Sequence, residues 1–194
     1  MLEQVDKTIF LFLNSHHSPF WDQIMWYISG RYTWVPLYLA ILIMAGIKEK
    51  RRLLVLFPLI ILTITLCDQV SVHCFKNVFE RLRPCREPEL EGLVHIVRNK
   101  CPGLYGFVSS HAANTFGLAF ITLNVFRLRW YSIAIISWAT LIAYSRVYLG
   151  VHYPGDVLGG ALLGALIGYT MYLLYSIGDK RFMSRYRFFG GKAE

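Results

Sequence analysis

An all-α bundle embedded in a membrane, with about five crossing helices, is the architecture this sequence predicts. Three observations carry it. Hydrophobic residues make up 55% of the 194-residue chain and charged residues only 16%, with a mean hydropathy of +0.43. That balance is too apolar for an ordinary soluble domain and far from disorder. Five runs, Tyr32 to Ile47, Leu53 to Cys67, Ala112 to Phe126, Trp130 to Ser145 and Val157 to Gly178, contain no Asp, Glu, Lys or Arg. The basic residues gather at the ends of those runs, as Lys48, Lys50, Arg51 and Arg52, as Arg127 and Arg129, and as Lys180, Arg181, Arg185 and Arg187.

A net charge of +8 would suit a nucleic-acid binder if it lay on one polar face. Distributed at helix ends, it obeys the positive-inside rule instead and argues against nucleic acid as a partner. With five crossings the three basic clusters fall on one side, the cytoplasm. Arg31, the loop 76–110 and the stretch 146–156 then fall on the outer side. Several runs are shorter than the roughly 20 residues of a full crossing and must extend into polar flanks. The second is expected to continue through Asp68 to about Phe75, which puts a carboxylate at membrane depth.

One domain, 1–194, accounts for the whole chain. Residues 1–30 read as two interfacial amphipathic helices: Ile9, Phe10, Phe12 and Leu13 form an apolar patch, and a second helix from Phe20 to Ser29 carries Trp21, Trp26 and Tyr27, aromatics that favour the interface. His16 and His17 read as a solvated pair. The start lacks a basic stretch followed by a clean apolar core, so no cleaved signal peptide is expected. Gly160, Gly164 and Gly168 recur at four-residue spacing, which lets helices approach closely in lipid. Packing within a monomer is the first expectation there, a weak homodimer the second. Cys85 and Cys101 stand in the outer loop, where an oxidising compartment permits a bridge closing a loop of about 15 residues; two free thiols are the alternative.

Polar chemistry converges from three outer segments. Lys76-x6-Arg83-Pro84 supplies fixed cations, Ser109-Ser110-His111 opens the third run, and Ser145-Arg146-x5-His152-x3-Asp156 joins the last two. Pro154 and Gly155 mark a helix start with Asp156 in its first turn, so a carboxylate one turn from His152 can hold one ring nitrogen and turn the other outward. An isolated His-x-x-x-Asp is more often a helix cap beside a surface histidine. Its companions change that reading. Cations together with the N-H groups of a helix start make a phosphate site, and two histidines allow one to attack while the other moves protons.

These residues resemble the three signature segments of the type 2 phosphatidic acid phosphatase superfamily, which includes vanadium haloperoxidases and glucose-6-phosphatase: Lys-x6-Arg-Pro, Pro-Ser-Gly-His and Ser-Arg-x5-His-x3-Asp. The likeness covers 76–156. It departs in the middle segment, where Val108 and Ser110 replace proline and glycine. The resemblance implies His152 as nucleophile through a phosphohistidine, Asp156 as its orienting partner and His111 as proton donor and then base. It further implies that Lys76, Arg83, Arg146, Ser109 and the Ser110 backbone N-H bind the phosphoryl oxygens, and that no metal or other cofactor takes part. The implied function is a lipid phosphate phosphatase of the bacterial inner membrane with its site facing the periplasm or exterior. Undecaprenyl diphosphate or lipid A leads among substrates, ahead of phosphatidylglycerol phosphate and phosphatidic acid. A transporter or channel is the alternative of another class; it predicts polar residues spread along several crossings.

Overall fold

The computed structural model describes residues 2–189, with side chains described through Gly178. Lys180, Arg181, Arg185 and Arg187, read from the sequence as a cytoplasmic cluster, lie outside the residues whose side chains are described. Among the described residues the chain is helical, and its one β contact is an isolated bridge between Leu82 and Tyr105.

Two short helices come first, α1 (Leu2–Ser15) and α2 (Pro19–Ser29). Ser18 caps α2, its side chain accepting from the Trp21 N-H, and Pro19 occupies the first turn, where its missing N-H costs nothing. Helix α3 (Val35–Glu49) starts three residues later than the apolar run because Pro36 favours a first-turn position. At Lys50 the backbone leaves the helical region (φ 47°), and α4 (Leu53–Val70) follows. A π-helical turn, Ser71–Lys76, extends α4 and leads into the single turn α5 (Asn77–Phe79).

The region 80–109 is irregular, built on short 3-10 turns and tied by a disulfide between Cys85 and Cys101 with their Cα atoms 6.0 Å apart. Then come α6 (Ser110–Phe126), α7 (Arg129–Tyr148) and the long α8 (Pro154–Phe189).

Among the described residues two helical segments are long and apolar enough to cross a membrane, Val35–Phe79, which holds an 18-residue stretch of mean hydropathy 2.2, and Pro154–Gly178, which holds one of 1.8. Only 17% and 22% of those 18-residue stretches are buried inside the protein, and along the two segments Leu39, Ile43, Leu54, Ile61, Leu162 and Leu166 point outward. An apolar helix whose face is exposed in its own fold is a helix made for lipid.

The inner faces close on a core of Ile41, Leu56, Leu118, Ile121, Phe126, Tyr131, Ile135, Trp138 and Ile142. The tightest contact is α6 against α8. Cβ atoms added at Gly160, Gly164 and Gly168 would collide with the backbone carbonyls of Ser109, Ala113 and Gly117 in turn, so the glycine stripe is used within the chain, each glycine under one α6 carbonyl. This packing has a consequence for the site. It draws the first turns of α6 and α8 together, and the Ser109 N-H donates to the Asp156 carbonyl at 2.9 Å.

Candidate active site

All three polar segments meet at the end of the bundle where α6 and α8 begin. His152 sits in the short loop between α7 and α8 and is 2% exposed. Its Nδ1 lies 3.3 Å from Asp156 Oδ2, and the same carboxylate oxygen accepts the Tyr153 N-H at 3.1 Å. On the other side of the ring, Arg83 Nη1 approaches Nε2 at 2.9 Å and also donates to the Val151 carbonyl at 3.0 Å. A guanidinium can only donate. The imidazole beside it is therefore neutral, with the proton on Nδ1 toward Asp156 and the lone pair on Nε2.

Electrostatics act in the same direction. Burial, then the charges of Arg83, Arg146 and Lys76, pull the His152 pKa well below its ordinary value, keeping the ring unprotonated and nucleophilic. Burial also holds the Arg83 guanidinium below the usual arginine range.

Lys76 stands at the end of the π-helical turn, whose wider register turns it toward α6, and Nζ donates to Ser110 Oγ at 2.6 Å. Ser71 Oγ lies 2.6 Å from that same hydroxyl, so the Ser110 side chain holds Lys76 in place. Arg146 lies on the last turn of α7, one short loop ahead of His152, and its Nη1 donates to Ser29 Oγ of α2. His111 faces the same space from the first turn of α6. Ser109 does not: its hydroxyl is fully buried without a hydrogen-bond partner and lies off the cavity wall.

That cavity encloses about 810 Å³. Lys76, Arg83, Ser110, His111, Arg146 and His152 line one part, and Ile41, Leu42, Phe57, Ile60, Leu118 and Ile142 line another. Arg31 and Asp68 also border it. Among the described residues no carboxylate lies within ion-pair distance of Lys76, Arg83 or Arg146.

Two residues of the site escaped the sequence reading. Arg81 donates to Asp156 Oδ1 at 2.9 Å and to Asp6 Oδ2 at 2.8 Å. Its one signal was its place two residues before Arg83, which in extended chain puts both side chains on one face. Gly106 gave no signal. It lies so close behind the carboxylate that a Cβ would stand 2.7 Å from Asp156 Oδ2.

Cations with no carboxylate at ion-pair distance among the described residues, two imidazoles and two adjoining helix starts, at one end of an apolar bundle, are the equipment of a phosphatase. The relatives agree. The sequence model of the PAP2 superfamily matches residues 54–178, and the chain belongs to that superfamily. A lipid A 4'-phosphatase of Bacteroides thetaiotaomicron is 42% identical over 89% of this chain and 78% of its own. An undecaprenyl-diphosphatase of Sulfolobus acidocaldarius is 30% identical over 88% and 78%. Among solved structures, a transmembrane PAP2-type phosphatidylglycerolphosphate phosphatase from Bacillus subtilis superimposes with a TM-score of 0.66, covering 93% of this chain and 87% of that one at 23% identity. The protein is accordingly a membrane-embedded phosphatase that hydrolyses lipid phosphates.

Proposed function

We propose that the protein removes a phosphate from the sugar head group of lipid A through a phosphohistidine on His152, with undecaprenyl diphosphate as the second candidate. The observation that carries this reading is the cavity of about 810 Å³ that begins among cations and continues along apolar helix faces. Such a space takes a charged head group at one end and keeps the attached chain against hydrocarbon. The order of the two substrates rests on the relatives, 42% against 30% identity.

In this mechanism the Nε2 lone pair of His152 attacks phosphorus while Arg83 passes from Nε2 to a phosphoryl oxygen. The ester P–O bond breaks and His111 protonates the departing oxygen. Asp156 stabilises the positive charge that the ring acquires. His111 then takes a proton from water, which attacks phosphorus, breaks the P–N bond and releases phosphate. Lys76, Arg83 and Arg146 spread the negative charge of the transferring group, helped by the Ser110 N-H at the α6 start. Ser109, fully buried behind that turn, joins them only if its hydroxyl rotates outward.

The same reading gives five crossings, α3, α4, α6, α7 and α8, with α1 and α2 at the interface and the site on the periplasmic or exterior face of the inner membrane. Use of the glycine stripe inside the chain favours a monomer. Apart from Glu49, the buried ionisable groups among the described residues, Arg83, Arg146, His152 and Asp156, gather at one end, against the spread a transporter needs.

The test is phosphate release from a panel of lipid A, undecaprenyl diphosphate, phosphatidylglycerol phosphate and phosphatidic acid in detergent with chelator present. Lipid A should lead, and His152→Ala should lower its turnover by about 10⁴-fold or more at normal expression; a fully active variant would overturn the nucleophile assignment. For orientation, a membrane-impermeant thiol reagent should label Cys85 or Cys101 on intact, reduced cells. Labelling that requires lysis inverts the topology.

A further inference from the structure

The N-terminal helix reaches into the site through one side chain. Asp6 of α1 uses both carboxylate oxygens: Oδ2 accepts from Arg81 at 2.8 Å and Oδ1 from the Gly155 N-H at 2.8 Å. Arg81 is shared between Asp6 and Asp156, and its guanidinium lies 4.1 Å from the centre of the Tyr153 ring. The opposing edge of that ring belongs to α1 as well, since Phe10, fully buried, meets Tyr153 at 5.4 Å edge to face. A Cβ at Gly155 would lie 2.6 Å from Asp6 Oδ2, so the carboxylate is seated directly against the first turn of α8. An unbroken chain of contacts runs Asp6, Arg81, Asp156, His152.

The chemistry of this chain differs from that of a simple strut. Asp156 must favour positive charge on His152 when the phosphohistidine forms. Arg81 opposes this, because a full positive charge on Asp156 Oδ1 draws the carboxylate's electron density away from the ring. Asp6 offsets Arg81 by sharing it, and at the same time fixes the α8 turn that carries Asp156. We propose that Asp6 is a positioning residue for phosphoryl transfer, setting through Arg81 and the Gly155 amide both the place and the effective charge of Asp156. Asp6 touches neither substrate nor His152, so its loss acts on the chemical step and leaves substrate affinity alone.

The inference rests on His152 being the nucleophile, and its test separates the two claims. Asp6→Asn keeps the shape and removes the charge. With lipid A, or undecaprenyl diphosphate where the panel ranks it higher, kcat should fall about tenfold while KM stays within about twofold. Lys7→Gln on the same helix breaks the 2.7 Å ion pair to Glu89 in the outer loop and loosens α1 without touching the chain of contacts; its kcat should stay within about twofold of wild type. In an Arg81→Gln background, Asp6→Asn should add less than about twofold.

Wild-type kcat in Asp6→Asn overturns the proposal, as does an equal loss in Lys7→Gln, which would reduce α1 to a structural prop. Full multiplication of the Asp6 and Arg81 effects also overturns it. Should the asparagine variant not yield folded protein, Asp6→Ser is read by the same criteria. Activity surviving His152→Ala would instead remove the underlying reading of the site.

Discussion

The two ends of the bundle hold the same kinds of residue and treat them in opposite ways. At the end where α3 stops and α6 stops, the one buried charged residue among the described residues is answered by a hydrogen bond and a counter-charge. Glu49, 9% exposed, accepts from the Tyr175 hydroxyl at 2.6 Å and lies 4.0 Å from Arg52. Lys48 and Arg127, both exposed, donate respectively to the Phe126 carbonyl, the last of α6, and to the Tyr172 hydroxyl. At the other end Lys76, Arg83 and Arg146 meet hydroxyls, a carbonyl and an imidazole, and no carboxylate among the described residues. Cations drawn into a protein interior without a directly paired carboxylate are costly. A protein keeps such an arrangement where an anion is to arrive, so the imbalance between the ends marks the substrate site.

Substitutions at the two ends should therefore fail in different currencies, rate at one and stability at the other. The largest effect after loss of His152 itself is expected at Gly106. Gly106→Ala brings a methyl group to 2.7 Å from Asp156 Oδ2, displacing the carboxylate and lowering kcat by about 100-fold, the cost of an ångström-scale misplacement. Steady-state kinetics on folded, size-excluded protein read this directly; unchanged kcat would mean the carboxylate does not set the rate.

Arg83→Gln sharpens the electrostatic half of the comparison. In the native protein the His152 pKa is lowered, so on acidification the ring stays neutral past the point where an ordinary histidine protonates, and phosphoenzyme formation should hold through pH 6.5. Removing the Arg83 charge takes away one of the causes of that lowering. The pKa then rises and the acid limb of the pH–rate profile moves to higher pH, on top of a rate loss of about tenfold or more. An acid limb that does not move would locate the limiting titration elsewhere.

The smallest effect belongs to the opposite end. Glu49→Gln weakens the bond from Tyr175 and should cost about 1 kcal/mol of stability, visible as a modest drop in melting temperature, with turnover within about twofold of wild type. A large rate loss there would erase the distinction between the ends.

Much of the helical plan was legible because apolar runs and their punctuation are local. Pro154 opens a helix as read, Pro19 ends the first apolar patch and opens the second helix, and the runs ending at Cys67 and Ser145 continued for the few residues expected of segments too short to cross. The convergence of Lys76, Arg83, His111, Arg146, His152 and Asp156 at one end of the bundle was legible through three motifs in fixed order. What stayed hidden is non-local. Arg81 joins Asp6 and Asp156 across 75 residues in each direction, and Asp6 meets Gly155 across 149; no spacing rule spans such distances. The π-helical turn that aims Lys76 and the withdrawal of Ser109 from the cavity depend on how α4 and α6 pack, which composition does not encode.

In the mechanism proposed above, the guanidinium of Arg83 resting on His152 Nε2 at 2.9 Å also works as a safety catch. At rest the reactive lone pair is occupied, and an uncharged electrophile brings nothing that would tempt Arg83 away. A phosphate monoester offers oxygens that outbid the imidazole for the guanidinium, so the group that recognises the cargo is the one whose departure arms the nucleophile. Selectivity for anions is in this way written into the timing of the reaction as well as into the shape of the pocket.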